Sequence, residues 1–574
     1  MKGLLIDLLG AMLALSGAGS PEELSEYEAE RFARFAEHPL ELNLASRSRL
    51  LSSGLFSAYQ VAALEEYRQR SGDILSLTEL ALVDGIGPSF AEALGFFVSF
   101  GSSKPPGARE RRRVRQSLLL RGAARFRGIP GHNGWSEGDT AFSVGVKYHL
   151  ELGERAEFFW SSRTTYSSAE LTPGTFSLAL YSRRGPRLIL GDYAARFGQG
   201  LALWSSFSMT GFGSVAAFRR NASGFAPTSS FSPALRGAAF DLPFGRWTAG
   251  GGIALDGGPS PMASVVPIAF ASYFGRRGQL GVQVLHKDGT VVSVDGTLGL
   301  GHWTLFGETA LSSVLTSEDG FQIRSSRVAA VGGASWAPVY RVRFTALARY
   351  YPSGFHSPYS GPVRSSSKVS DETGFALGAQ WRKAEMTFDA AVHPQKATAQ
   401  YKGIFSVAPE FSFGGSAVTT SLRCTERFRP KDRNPWRHEA RLDLKFVRGP
   451  FSAACRGDLV LCKVFGALGY AELGYQQSRV PPSAYSGTVL AFSAFVRASV
   501  FRADAWDDRI YCYERDLPGA FSVPAYYGQG WTLSAMANYK YGRHKISLKS
   551  SFLSRNYKSA QETVEIKLQY QVLL

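Results

Sequence analysis

The chain is poor in cysteine, histidine and long apolar segments. It contains 4 Cys and 9 His among 574 residues. No two cysteines form a CxxC pair and no His stands at metal-ligand spacing from them, which excludes the common zinc sites. Four cysteines are too few for the disulfide framework of a small secreted protein, so we expect at most one bridge. Past the N-terminus, no apolar run is long enough for a membrane helix.

Catalytic motifs are missing as well. The sequence has no H-E-x-x-H, no G-x-S-x-G and no EF-hand loop, the short patterns that mark metalloproteases, hydrolases and calcium sites. The acidic pairs Asp371-Glu372 and Asp507-Asp508 are more typical of loop ion pairs than of catalytic dyads. We therefore predict that the protein is not an enzyme and has no catalytic residue, cofactor or metal.

Aromatic residues, glycine and period-two alternation are abundant instead. There are 40 Phe, 24 Tyr and 61 Gly. Apolar and polar residues alternate in 142–150, in 175–181 and in the last eleven residues, 564–574, and this period is that of a strand with one apolar face. Only helices or closed barrels satisfy the backbone in lipid. The pattern favours a transmembrane β-barrel over the alternative, a large soluble all-β protein.

The connections between the predicted strands are unequal in length. Strands over 531–541 and 544–552 are joined by the short turn Gly542-Arg543, whereas 352–371 and 502–530 are long connections. Short turns at one end and long loops at the other are typical of outer-membrane barrels. We predict an antiparallel barrel of about 16–20 strands over residues 116–574. Its last strand is expected to pair with the first, near 116–126, which places both ends of the barrel on the periplasmic side.

The N-terminal region differs in composition from the predicted barrel. Residues 1–20 resemble a signal peptide, with Lys2, an apolar stretch and small residues before Pro21; an ordinary helix is the alternative. Residues 21–107 carry 13 acidic and seven basic side chains, whereas the chain as a whole has a net charge of +17. A basic linker is predicted over 102–115, either as a solvated charge run or as an anchor at an anionic lipid surface.

Residues 21–101 are predicted to form a small all-helical domain. Two segments, 50–64 and 82–94, each read as helix, glycine turn, helix, and 43–46 (Asn-Leu-Ala-Ser) precede the first one. These segments resemble the tandem helix-hairpin-helix family found in competence-type DNA receptors. The resemblance implies that Ser46 caps the first helix.

The same resemblance implies a contact surface at the two hairpin turns. In that family the turn amides meet a DNA phosphate, and the matching residues here are Ser53, Gly54, Leu55, Gly85, Ile86 and Gly87. Neither turn carries a basic residue, Asp84 lies within the second, and the region has a net charge of −6. Because DNA affinity depends mainly on cations, DNA binding is disfavoured. A module that binds a periplasmic protein or covers the barrel mouth is the alternative.

The barrel region resembles large barrel proteins of Bacteroidetes-type bacteria that carry N-terminal helix-hairpin-helix domains. The matching stretches are 190–204, 235–239, 509–514 and 527–530. Within the first, Phe197-Gly198-Gln199-Gly200 is interpreted either as a strand bend or as the start of a loop folded into the lumen.

Together these observations predict a Gram-negative outer-membrane β-barrel with a periplasmic helix-hairpin-helix module. Its expected function is that of a channel, a transporter-like barrel or an envelope scaffold, with outer-membrane lipid and a periplasmic protein as partners. The alternative is DNA binding and uptake through the hairpins.

Overall fold

The computed structural model describes most of the chain. It covers residues 8–101, 114–128, 140–182, 185–205, 211–218, 220–229, 235–256, 264–287, 289–313, 327–413, 416–479 and 490–574. Most of the predicted linker, 102–113, and the first seven residues of the predicted signal peptide lie outside these ranges.

Six α-helices form the N-terminal region. They are α1 (Leu8–Ser16), α2 (Glu26–Glu37), α3 (Arg47–Ser53), α4 (Ala58–Ser71), α5 (Leu77–Leu80) and α6 (Pro88–Leu94). Two short parallel strands, β1 (Leu40–Glu41) after α2 and β2 (Val98–Ser99) after α6, pair with each other. Within the predicted signal peptide, Leu8–Ser16 form α1. The signal peptide itself stays a prediction. Among the described residues, no helix is both long and apolar enough to cross a bilayer.

The remainder of the described chain is almost entirely β-strand. The first group of strands is β3 (Val114–Gly128), β4 (Thr140–Leu152), β5 (Ala156–Thr165), β6 (Ser168–Tyr181), β7 (Arg187–Arg196), β8 (Gly224–Pro227), β9 (Leu235–Phe244), β10 (Trp247–Asp256), β11 (Ser264–Gly275), β12 (Gly278–His286), β13 (Thr290–Leu300), β14 (Trp303–Ser313), β15 (Val328–Val339) and β16 (Val342–Tyr351).

The second group is β17 (Glu372–Trp381), β18 (Ala384–His393), β19 (Thr398–Val407), β20 (Glu410–Phe413), β21 (Ser416–Phe428), β22 (Trp436–Arg448), β23 (Phe451–Leu461), β24 (Gly466–Arg479), β25 (Leu490–Ala503), β26 (Ile510–Tyr511), β27 (Ala525–Tyr526), β28 (Gly528–Tyr541), β29 (His544–Tyr557) and β30 (Ser559–Leu573).

The strands close into an antiparallel barrel, which confirms the predicted fold class. Its ring runs from β3 to β25 and on through β28 to β30, while β26 and β27 pair separately. β7 pairs directly with β9, and β19 with β21. The short strands β8 and β20 are therefore additions to the ring, and the described residues form a ring of 24 long strands. This number exceeds the predicted 16–20, since many connections are two residues long and each strand takes less sequence than expected.

The barrel is sealed by its first and last strands, as predicted. β3 pairs with β30 in antiparallel register, from Ser117 opposite Leu573 to Gly128 opposite Glu562. The backbone N–H of Leu574 donates to the carbonyl of Gln116 at 2.9 Å. Across the seam, the Arg125 guanidinium lies 2.7 Å from the Glu565 carboxylate.

The two faces of the sheet carry opposite side-chain chemistry. On β12 and β13, Leu280 is 62% exposed and Val294 51% exposed, whereas Gln283 and Asp295 are buried. On β24 and its neighbours the same reversal holds, with Leu473 68% exposed. The outer face is therefore apolar, and the buried charged and amide side chains lie on the inner face beside apolar ones, the reverse of a soluble sheet.

Connections differ between the two ends of the strands. At one end several turns hold two residues, among them 245–246, 340–341, 449–450 and 542–543. The opposite end carries the long connections 197–234, 352–371 and 504–527. In an antiparallel ring successive connections alternate between the ends, so β3 begins and β30 finishes at the short-turn end.

The chain divides into two compact units. The first consists of Met1–Val114, Glu151–Phe159 and Thr175–Lys402, and the second of Arg115–Leu150, Trp160–Gly174 and Gly403–Leu574. The predicted domain boundaries at 20, 101 and 115 stay predictions. All four cysteines are free, so the optional disulfide bridge is not formed here.

Candidate functional site

The helical region contains the first predicted helix–glycine turn–helix unit; in the second, predicted over 82–94, only Pro88–Leu94 are helical and the preceding helix α5 ends at Leu80. In the first, α3 and α4 flank Gly54, which adopts the left-handed conformation at φ +64°. The Ser46 hydroxyl accepts the N–H of Arg49 at 3.3 Å, so Ser46 caps α3 as predicted. In the second unit, Gly85 and Gly87 have φ of +78° and +73°, which glycine adopts without strain.

The first hairpin turn is buried. Ser53 and Leu55 are at most 2% exposed, and the Ser53 hydroxyl donates to the Leu50 carbonyl at 2.6 Å. The Asn221 amide donates to the carbonyls of Gly54 at 3.4 Å and Leu55 at 3.3 Å. This turn therefore contacts the long connection 197–234 of its own chain through Asn221, a contact that the local sequence pattern does not predict.

The second hairpin turn is more open. Gly85 is exposed, Gly87 is half-buried and Ile86 is buried. The Gln60 amide donates to the Gly85 carbonyl at 2.8 Å and so connects the two hairpins. The six predicted site residues thus lie in one small helical region, but the two turns face different surroundings.

The helical region also contacts the short-turn end of strands in its own unit. Arg49 forms ion pairs with Glu157 on β5 and, at 3.0 Å, with Glu151. Burial alone would lower the pKa of the Arg49 guanidinium, but Glu157 and Glu151 outweigh it and raise that pKa. The Ser48 hydroxyl donates to the Gly185 carbonyl at 2.5 Å.

One contact at this end involves a carboxylate of the β4–β5 turn. Glu154 accepts the backbone N–H of Ser46 at 3.1 Å. Burial raises the pKa of Glu154, and Arg49 opposes that rise. The turn and the start of α3 are therefore held together by a carboxylate that is partly desolvated.

The described part of the connection 197–234 (residues 197–205, 211–218 and 220–229), here called the lumen loop, lies against the inner face of strands in the first unit. Glu308 on β14 accepts the backbone N–H of Gln199 at 2.7 Å, of Leu201 at 3.0 Å and of Ala202 at 3.1 Å. Leu201 and Ala202 are fully buried. Gly198 and Gly200 have φ of +53° and +88°. Of the two interpretations of 197–200, the structure supports the loop folded into the lumen.

The connection 352–371, here called the second loop, packs on the lumen loop. The Ser357 hydroxyl donates to the Ala202 carbonyl at 2.8 Å. The N–H of Gly361 donates to the Gly200 carbonyl at 2.9 Å. Aromatic and aliphatic side chains of both loops share two apolar clusters with the inner faces of β6, β7 and β9–β17. The two loops therefore fill space inside the strands of the first unit.

The second unit has a corresponding inward loop, 504–527. The Asp508 carboxylate accepts the backbone N–H groups of Lys463 at 2.8 Å and Val464 at 3.0 Å. Glu472 binds Arg497 and Arg515 at 2.6 and 2.8 Å. The Lys567 ammonium lies 2.9 Å from Asp516. This loop is tied to the inner face by charge and by an apolar cluster in which Ile510, Cys512 and Tyr526 pack on the strands.

Sequence reasoning identified none of these anchoring side chains. Glu308, Glu472 and Lys567 each occupy the polar half of an alternating strand, which by itself indicates only an inward face. Asp508 belongs to the pair interpreted as a loop ion pair and instead holds backbone amides. The predictions of no enzymatic activity, cofactor or metal remain predictions.

Comparisons with known proteins give similarity of fold at low identity. No protein-family model and no curated protein matches the chain. The P pilus usher (PapC) translocation pore matches with a TM-score of 0.40 and 12% identity, over 80% of this chain and 99% of that one. Pseudomonas aeruginosa OccK7 (OpdD) matches at 0.30 and 9%, over 80% and 99%. Acinetobacter baumannii OccAB4 matches at 0.28 and 6%, over 82% and 100%.

Proposed function

We propose that this protein is an outer-membrane β-barrel of the channel or transporter type, closed at rest by its own loops. The single observation that carries the proposal is the reversal of side-chain chemistry across the sheet. Large apolar residues such as Leu280, Leu473 and Val500 are at least 62% exposed. Exposing so many large side chains to water is unfavourable, whereas a surrounding bilayer solvates them.

The proposed orientation follows from the connections. Outer-membrane barrels keep short turns in the periplasm and longer loops outside the cell. The helical region contacts short turns, through Ser46 with Glu154 and Ser48 with Gly185. We therefore place it in the periplasm of a Gram-negative bacterium, where it is available to a protein partner. A helix-hairpin-helix module of the Bacteroidetes barrel type fits this arrangement. If the barrel transports nothing, the protein would act instead as an envelope scaffold.

Closure at rest is proposed from the lumen loop and the second loop. A solute crossing the first unit would have to displace Leu201, Ala202 and Phe212, which are at most 1% exposed. Loop displacement of this kind is a common route to gating. Passage would therefore need a signal or a partner that moves the loops.

Planar-bilayer conductance tests the proposal. The full chain should insert but show little current, and a variant with 201–229 replaced by a short Gly-Ser linker should show large, steady channels. A matched control replaces the exposed turn Pro394–Lys396 with glycines and should behave like the full chain. If the shortened variant inserts and conducts no more than the control, the channel proposal is wrong and the scaffold form remains, which co-purification of a periplasmic partner would test.

DNA binding is the second candidate, favoured by the repeated helix–glycine turn–helix units. Acidic charge in 21–107 and the buried first turn oppose it. The detergent-solubilised full chain should shift duplex DNA with a steep salt dependence if this candidate holds. No shift at low salt would exclude it.

A further inference from the structure

A cavity of about 90 Å³ lies where the helical region meets the lumen loop, within the first unit. We call it the junction cavity. Its lining includes Leu15–Ala18 of the predicted signal peptide, Arg31 from α2, and Arg196, Trp204, Arg220 and Asn221 from β7 and the lumen loop, so the site belongs to the chain that retains residues 1–20. One water needs roughly 15 Å³ of such space, so the junction cavity can hold a small solute.

Three side chains of this lining have buried polar atoms without a hydrogen-bond partner among the described residues. They are Nε and Nη1 of Arg31, Nε1 of Trp204 and Oδ1 of Asn221. Arg31 as a whole is 6% exposed. Leaving one buried polar group unpaired is unfavourable by about 1–3 kcal/mol. Several such groups around one cavity point to a missing binding partner.

The unpaired atoms define the chemistry of that partner. Nε and Nη1 are two separate N–H donors of the Arg31 guanidinium, a cation that suits an oxyanion. Trp204 offers a third donor, because an indole nitrogen only donates. Asn221 Oδ1 is an acceptor, since the amide nitrogen of the same side chain already donates to Gly54 and Leu55.

Charge around the junction cavity also favours an anion. Three guanidinium groups line it, against the carboxylates of Glu23 and Glu28. Both carboxylates already have donors: Glu23 accepts the Gly19 N–H at 2.7 Å, and Glu28 accepts the Ser25 hydroxyl at 2.8 Å. Burial, followed by the charge of Arg196, lowers the pKa of Arg31. The charge of a bound anion would oppose this lowering and raise the pKa of Arg31.

We propose that the junction cavity binds a small oxyanion that also carries one hydroxyl group, such as hydrogen phosphate or a hydroxycarboxylate. The Arg31 guanidinium and Trp204 Nε1 donate to the oxyanion, and Asn221 Oδ1 accepts from the hydroxyl. Because Asn221 also holds the carbonyls of Gly54 and Leu55, the bound anion connects the first hairpin with the lumen loop. Occupancy would then stabilise the closed arrangement of that loop.

Titration calorimetry on the detergent-solubilised full chain tests this site, with inorganic phosphate in one arm and L-lactate in the other. At least one should give saturable binding, and the arm that does so identifies the class of anion. Trp204→Phe removes the indole N–H together with part of the ring, and it should weaken binding about tenfold. Arg31→Lys keeps the charge but loses the N–H donors of the guanidinium and should weaken binding further.

Trp506→Phe is the matched control, because both tryptophans have an arginine over the ring, Arg220 at 4.3 Å from Trp204 and Arg509 at 4.6 Å from Trp506. This control should bind like the unaltered chain. The proposal is overturned if neither anion binds saturably, which would mean that water alone fills the cavity, or if Trp204→Phe binds as tightly as Trp506→Phe. Anion binding does not require transport across the membrane. A failed binding test therefore leaves the channel proposal standing, and a failed conductance test leaves the anion-site proposal standing.

Discussion

The carboxylate of Glu308 on β14 accepts the backbone N–H of Leu201 at 3.0 Å, and the same side chain holds Gln199 and Ala202. One inward-facing acid therefore satisfies three amides of a loop. Substituting Glu308→Ala should leave these buried amides unpaired and weaken the closed state by about 3 kcal/mol. The fraction of open channels in a planar bilayer should rise roughly a hundredfold.

Asp241→Asn is a suitable comparison for the Glu308 variant. Asp241 and Glu308 are both 3% exposed, but Asp241 binds Arg187 rather than loop amides. We expect this substitution to lower thermal stability and leave the conductance unchanged. Equal conductance in the two variants would mean that Glu308 does not hold the loop closed.

Arg349 on β16 should be important for stability. It pairs with Glu372 and Asp389 at 2.6 Å each, and all three side chains are nearly inaccessible. Arg349→Met leaves two buried acids without a cation, so the free energy of unfolding should fall by about 3–5 kcal/mol. The combined change with Glu372→Gln and Asp389→Asn should recover most of that loss. Heat-induced mobility shifts on gels would measure both effects, and a triple variant no more stable than the single one would contradict this explanation.

The apolar outer face leads to a prediction that tests whether this face contacts lipid or water. Leu473 in the middle of β24 is 68% exposed and Leu82 in the helical region 71% exposed. Leu473→Arg should destabilise the folded barrel in a bilayer by about 2–4 kcal/mol, whereas Leu82→Arg should change its stability by less than about 0.5 kcal/mol. Urea unfolding in liposomes would compare them. Equal, small effects would argue that the outer face meets water.

Glu154 should make the contact with α3 depend on pH. Burial raises the pKa of Glu154 above its ordinary value of 4.5. The stability that this shift contributes is fully present below 4.5 and is lost as the pH rises through the raised pKa. The thermal midpoint of the helical circular dichroism signal should therefore fall over that interval, and Glu154→Gln should flatten the dependence. Glu66→Gln, at an exposed residue paired with Arg70, should keep the full slope.

Alternating strands could be predicted from the sequence because their two faces differ in chemistry. Residues 142–150 lie within β4, and the hairpin around Gly542-Arg543 corresponds to β28 and β29. The long connection predicted over 352–371 fits between Tyr351 at the end of β16 and Glu372 at the start of β17. Strand ends extend beyond the predicted bounds, since pairing with neighbours continues where alternation weakens.

Loop positions could not be predicted, because they depend on contacts between residues far apart in sequence. Glu308 and Gln199 are 109 positions apart, and nothing in the local pattern around either residue specifies the other. Asn221 and Gly54 are 167 positions apart. The glycines of 197–200 were the only local signal, and they allowed two interpretations.

The seam between β3 and β30 has a consequence for the order of folding. Arg121 and Gln569, which meet across it, are 448 positions apart. Contacts of such long range carry the largest chain-entropy penalty before they form. We therefore expect the seam to form last, after the lumen loop has bound β14. The loop would then be enclosed as the ring shuts, rather than threaded into a finished barrel.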